Sequence, residues 1–131
     1  MVSIACLISN GYDVLLYKQE DSLENNTFVL PESSAESIEE AQEIITERLE
    51  NERIHFDFDE ILYETDVDGL CHKVLYLCHA YQWTNQAKDN SYRWIEVREL
   101  SSNPFSSAYI ELANAANDYL TRRENTFYNK I

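Results

Sequence analysis

The chain has 131 residues, 24 of them acidic against 10 lysines and arginines, for a formal net charge of −14. That length suits a single domain spanning residues 1–131 with an ordinary core, and that charge excludes nucleic-acid backbones as partners, since a polyanion calls for a basic patch. No run of about 18 apolar residues exists to span a membrane.

The opening MVSIACLIS lacks a basic leader and reads as a strand, not a signal peptide. With three cysteines, an odd number, it points to reduced thiols in a cytoplasm. Val2 to Ser9 alternates apolar residues up to Asn10-Gly11, a strong signal for a primed hairpin turn, and Val14 to Lys18 returns as the second strand. Gln19 to Asn26 is a polar connection, and Thr27 to Leu30 is short and extended. Pro31 pushes Leu30 away from helical angles, so a helix is expected after it.

Ser37-Ile38-Glu39-Glu40 is a good helix start, with acid in the first turn facing the positive end of the helix dipole. At about 100° per residue, Ile38, Ala41, Ile45 and Leu49 form one stripe that should meet a core. Glu36, Glu39, Glu40, Glu43, Glu47 and Glu50 fall opposite it, the pattern of a solvated face. Arg48 and Glu52 stand apart as an i,i+4 pair on the edge of the stripe, where side chains can reach into a cleft.

Glu60 to Val67 and Leu70 to Trp83 are expected to form a second hairpin around Asp66-Val67-Asp68-Gly69, with a polar loop before the strand Tyr92 to Val97. Cys71-His72 and Cys78-His79 invite a zinc reading, but His72 and Cys78 would lie ~20 Å apart along a strand, too far for one ion. Asn103-Pro104 caps a final helix, with Phe105, Ala108, Tyr109, Leu112, Ala116, Tyr119 and Leu120 on its inner face. Residues from about 122 to 131 read as a polar, frayed tail. This order of elements favours an α/β fold, a mixed sheet with helices on both faces. Tyr17, Tyr63, Tyr76, Tyr81 and Trp94 have the chemistry to stack on a nucleobase, although strands favour aromatic residues for packing alone.

Phe28-Val29-Leu30-Pro31, the acidic helix behind it, and Tyr92-Arg93-Trp94-Ile95-Glu96-Val97-Arg98-Glu99-Leu100 together resemble the Nudix (MutT-like) superfamily. Its members hydrolyse nucleoside diphosphates linked to another moiety. Their box reads Gly, five residues, Glu, seven residues, Arg-Glu-apolar-x-Glu-Glu-x-Gly-apolar, often after aromatic-x-Leu-Pro-Gly. The resemblance implies a Nudix-like α/β/α sandwich with one acidic box helix and a C-terminal helix. It also implies Mg²⁺ or Mn²⁺ on box glutamates, a nucleotide or nucleoside diphosphate derivative as ligand, and the homodimers common in the family.

Aligned from the proline, Ser33 takes the place of the box glycine and Glu39 that of the first box glutamate. Glu47 and Arg48 replace Arg-Glu in swapped order, Leu49 is the apolar residue, Asn51 and Glu52 replace Glu-Glu, and Ile54 replaces the closing glycine. The box is thus degenerate. Arg48 stands where a principal metal ligand is expected, and a guanidinium cannot coordinate a cation. Glu32 and Ser33 lack the freedom of glycine in the phosphate loop, and an anionic Glu32 would repel a diphosphate. A register slid by a few residues brings Glu43 and Glu47 to the carboxylate positions instead. The metal candidates are therefore Glu52, Glu39, Glu43 and Glu47, with Glu52 and Glu39 the catalytic ones, and Pro31, Glu32, Ser33 and Arg48 form the ligand loop.

Three functions fit these residues. The foremost is a Nudix-like protein impaired in catalysis that binds a ligand or regulates. The others are a divergent Mg²⁺- or Mn²⁺-dependent nucleotide pyrophosphohydrolase and an acidic protein-interaction domain that meets a basic partner. If Arg48 occupies a ligand position, Arg48→Glu raises Mg²⁺ affinity. Calorimetric Mg²⁺ titration of the variant beside the wild type checks this, and no gain in binding overturns the register.

Overall fold

A computed structural model describes residues 1–10, 13–19, 27–67, 71–81, 92–96 and 110–129. Its strands are β1 (Val2–Ser9), β2 (Asp13–Gln19), β3 (Thr27–Val29), β4 (Glu32–Ala35), β5 (Phe56–Val67), β6 (Cys71–Ala80) and β7 (Tyr92–Glu96). Its helices are α1 (Ile38–Glu50) and α2 (Ile110–Asn129). The strands join in one mixed sheet of order β3-β2-β1-β6-β5, with β4 also paired to β1 and β7 to β2.

β1 organises the sheet. It runs parallel to β6 along its whole length, from Val2 opposite His72 to Ser9 opposite His79. Every residue from Ser3 to Ser9 is buried, so the strand lies between two cores. Ile4, Cys6 and Ile8 pack with Ala41, Ile45 and Leu49 of α1. Ala5 and Leu7 pack with Leu112, Ala116 and Leu120 of α2. β6 divides in the same way, with Val74, Tyr76, Cys78 and Ala80 toward α1 and Leu75 and Leu77 toward α2. These period-two assignments make the α/β/α sandwich: a sheet apolar on both faces needs a helix on each.

The first hairpin is less regular than its sequence suggests. Among the described residues β1 and β2 pair at Ser9 with Val14 alone, and Gly11 of the expected turn lies outside them. Beyond that pair the two strands part, and the segment from Thr27 to Ala35 fills the gap, its first part pairing with β2 as β3 and its last part with β1 as β4. The helix expected after Pro31 starts where its Ser37 signal puts it, at Ile38, and the intervening Glu32–Ala35 forms a strand. The edge of β1 would otherwise carry unpaired N–H and C=O groups inside the protein, and β4 satisfies them.

Both ends of α1 obey local rules. Ser37 is extended, with φ −133° and ψ 163°, and its Oγ accepts the Glu40 N–H at 3.2 Å. At the other end, Ile54 N–H bonds to Leu49 C=O and Arg53 N–H to Glu50 C=O, each at 2.9 Å. Arg53 has φ 62°, and Leu49 and Ile54 share the core. This is a Schellman closure with its apolar contact. As the stripe predicts, Ala41, Ile45 and Leu49 are buried, while Glu36, Glu39, Glu40, Glu43, Glu47 and Glu50 are all exposed.

Elsewhere the expected strands appear with shifted bounds. β5 starts at Phe56 rather than Glu60 and carries two irregularities in its antiparallel pairing with β6. Phe56, Phe58 and Tyr76 form a ladder of edge contacts there, with ring centres 5.2 and 5.1 Å apart. On β6, Cys78 faces the α1 core and its neighbour His79 is exposed, so the Cys-His pairs straddle the strand. The helix start at Asn103-Pro104 and the motif's Val97-Arg98-Glu99-Leu100 lie outside the described residues. α2 itself runs on to Asn129, through the expected polar tail. Polarity alone does not end a helix: no Gly or Pro interrupts residues 110–129, and Thr121 Oγ1 donates to the Asn117 carbonyl at 2.9 Å. Among the described residues no helix is long and apolar enough to cross a membrane.

Two outcomes test this packing. Cys6 and Cys78 are buried on neighbouring strands, and the hydrogen bond that the Cys78 thiol makes to Cys6, with burial, pushes that thiol well above the usual cysteine range. Only Cys71, half-buried, should therefore react with Ellman's reagent in the native protein, one thiol becoming three on denaturation. At the ends of α1 the expected signs are opposite. Ser37→Ala costs about 1 kcal/mol in denaturant unfolding. Arg53→Gly stabilises by about 0.5–1 kcal/mol, since relief of the left-handed backbone outweighs the added freedom of the unfolded chain.

Candidate functional site

The loop-to-helix region is tied down from three directions. The chain switches from β2 to β1 at Leu30-Pro31, where proline, lacking an N–H, removes no donor that a ladder needs. The Pro31 carbonyl accepts the Cys6 N–H at 2.9 Å, which anchors the crossing to β1. Ser33 is buried, and its Oγ donates to the Ala41 carbonyl of α1 at 2.6 Å. Arg48 Nη1 donates to the Glu32 carbonyl at 2.9 Å. The expected ligand-loop residues Pro31, Glu32, Ser33 and Arg48 are therefore brought together.

Arg48 has no carboxylate partner among the described residues, although exposed glutamates crowd its helix. Strand parity adds a further point. Glu32 pairs with Ala5, whose side chain belongs to the α2 core, so the Glu32 side chain leaves on the face away from α1. Its carbonyl, not its carboxylate, meets the guanidinium.

The expected metal ligands are arranged differently. Glu39, Glu43 and Glu47 follow one another on the exposed face of α1. Glu52 is half-buried but lies beyond Glu50, the last residue of the helix, so its pairing with Arg48 along one helix is corrected by the Schellman turn. Among the described residues no group of three or more His, Cys, Asp or Glu is placed to hold a metal ion. A divalent cation 4 Å from the Arg48 guanidinium would meet repulsion on the order of 8 kcal/mol at an effective dielectric of about 20. Among the described residues, then, the expected carboxylates are not gathered into a multi-ligand Mg²⁺ or Mn²⁺ centre.

The helix end also places the box. Counting from Pro31 puts the closing glycine at Ile54, but the left-handed residue that suits glycine is Arg53. Anchored there, the pattern puts Glu47 and Glu50 at carboxylate positions and moves the first glutamate onto Ile38, which packs against the core. Neither register satisfies both ends of the box.

Beside this loop, on the α1 side of the sheet, β2 and β7 present aromatic residues. Tyr17 pairs with Val29 of β3 on one edge and with Tyr92 of β7 on the other. The Tyr17 and Tyr92 rings are tilted at 59° with centres 5.1 Å apart, Tyr17 being exposed and Tyr92 buried. Trp94, two residues on, packs against the same core, and its buried Nε1 has no hydrogen-bond partner among the described residues. A buried donor without a partner costs about 1–3 kcal/mol.

The other aromatic candidates disperse. Tyr76 is in the α1 core, where burial raises its pKa. Tyr63 packs toward α2, and the Tyr81 hydroxyl donates to Asp57, whose carboxylate holds that phenol above its ordinary value. Tyr92 was not among the expected stacking residues, although its spacing from Trp94 puts both on one strand face.

No family model matches this sequence and no curated protein matches it. Solved structures do. A Nudix hydrolase from Nitrosomonas europaea superposes with TM-score 0.69 at 15% identity, over 95% of this chain and 72% of that one. The Nudix domain of Shewanella oneidensis NrtR, solved with ADP-ribose, gives 0.56 at 16% identity over 92% and 88%. A MutT Nudix hydrolase from Burkholderia pseudomallei gives 0.56 at 19% over 86% and 93%. A Sinorhizobium meliloti protein described as a candidate oxidoreductase also matches, at TM-score 0.63 and 16% identity over 91% of this chain, which spans only 38% of that protein's length. At these identities what is shared is architecture, and the chain has the fold of the Nudix hydrolases.

Proposed function

We propose that this chain is a Nudix-fold binding module for a nucleoside diphosphate derivative, with hydrolysis impaired or lost. The observation that carries it is the Arg48–Glu32 contact: a guanidinium, not a carboxylate, is fixed over the loop. In metal-dependent pyrophosphate hydrolysis the cations neutralise charge and activate water. Among the described residues the exposed glutamates of α1 form no cluster of three or more carboxylates, and the guanidinium repels such ions, which supports impaired water activation.

Binding keeps its means. The distance from Glu32 back to Val29, which pairs with Tyr17, is about 10 Å of extended chain. That suits the separation of a diphosphate from its base. The exposed Tyr17 ring at the β2–β7 surface offers a face on which a base could stack. The Shewanella domain solved with ADP-ribose supports this ligand class. A divergent pyrophosphohydrolase remains the second reading, favoured by the left-handed turn at Arg53, which assigns carboxylate positions to Glu47 and Glu50.

The deciding experiment is chromatographic assay of ADP-ribose, NADH, a dinucleoside polyphosphate and nucleoside triphosphates, with Mg²⁺ or Mn²⁺, beside Glu52→Gln and Glu47→Gln. No turnover above a blank is expected, together with a rise in melting temperature on adding at least one diphosphate ligand. Turnover that either variant abolishes establishes the enzyme instead.

A further inference from the structure

Resting on that binding reading, we propose that the site holds its ligand's diphosphate directly on Arg48, with no divalent cation between protein and phosphate. Four observations on separate elements converge on this. The guanidinium is held by a neutral partner, the Glu32 carbonyl, through one Nη1 bond, which leaves most of its five donors for a ligand. A planar fork of this kind matches two phosphate oxygens at once. No carboxylate among the described residues neutralises it.

The second observation removes the obvious objection. Glu32 appears in sequence as a negative charge in the phosphate loop, yet its pairing with Ala5 sends its side chain through to the α2 face. Glu39, Glu43 and Glu47 are on the exposed face of α1, away from its packed stripe. A phosphate at Arg48 therefore meets the guanidinium directly, with the Glu32 backbone carbonyl, not its carboxylate, beside it.

Third, no described acidic group is assembled to hold a cation there. Fourth, the loop is rigid where it matters: Pro31 is bonded to Cys6 and Ser33 to Ala41, so the Glu32 carbonyl that orients Arg48 is fixed from both sides. A preorganised guanidinium loses less freedom on binding than a loose one.

The test is calorimetry of the whole chain with ADP-ribose, once in excess EDTA and once in Mg²⁺, for wild type, Arg48→Gln and Arg48→Lys. The expected result is wild-type affinity equal within about twofold in EDTA and in Mg²⁺. Arg48→Gln should weaken it at least tenfold while the ligand-free protein keeps a folded circular-dichroism spectrum, and Arg48→Lys should recover part of the loss. Binding that needs Mg²⁺, or that survives Arg48→Gln, overturns the clamp and leaves the binding module standing. Absence of binding to ADP-ribose, ADP and NADH in either buffer overturns the binding reading and the clamp with it. The EDTA comparison needs no variant, so misfolding of Arg48→Gln does not blunt the test.

Discussion

Burial of β1 on both faces is the constraint from which the rest of the structure follows. A strand with Ile4, Cys6 and Ile8 on one side and Ala5 and Leu7 on the other cannot lie at a surface. It must be flanked by strands along its edges and roofed by a helix on each face. β6 supplies one edge along its full length, and α1 and α2 supply the roofs. Fully burying each large aliphatic side chain contributes about 1.5–3 kcal/mol, more than any single surface contact in the chain offers.

The second edge of β1 creates the site. Among the described residues β2 shares one pair with β1, and the backbone it leaves must be satisfied inside the protein. β4 does this, and to reach β1 the chain must cross at Leu30-Pro31. That crossing carries Glu32 and Ser33 under α1, where Ser33 bonds to Ala41 and the Glu32 carbonyl meets Arg48. A packing requirement of the central strand thus determines where the candidate ligand loop sits and which backbone atom it offers.

Charge is distributed by the same logic. The six glutamates from Glu36 to Glu50 stay in water because the apolar stripe of α1 has taken the sheet side. β5 lies at the sheet edge, and its exposed Asp57, Asp59, Glu60, Glu64 and Asp66, together with the irregular pairing, keep that edge from recruiting other strands. Acid at these places does not gather into a metal centre among the described residues.

By itself the sequence determined the elements whose cause is local. The strand Val2 to Ser9, the Ser37 cap, the stripe Ala41-Ile45-Leu49 and the solvated glutamate face come from short-range patterns and are present in the structure, although the strand is buried on both faces and not on alternate residues. The α/β/α sandwich followed from their order. Tertiary structure decided what depends on distant partners. Glu32–Ala35 became a strand because β1 needed an edge, and the direction of the Glu32 side chain followed from its pairing with Ala5. Glu52 left the helix because Ile54 had to reach back to the core beside Leu49. Tyr17, Tyr92 and Trp94, from strands far apart in the chain, came to share one face through antiparallel register, which no single-strand pattern encodes.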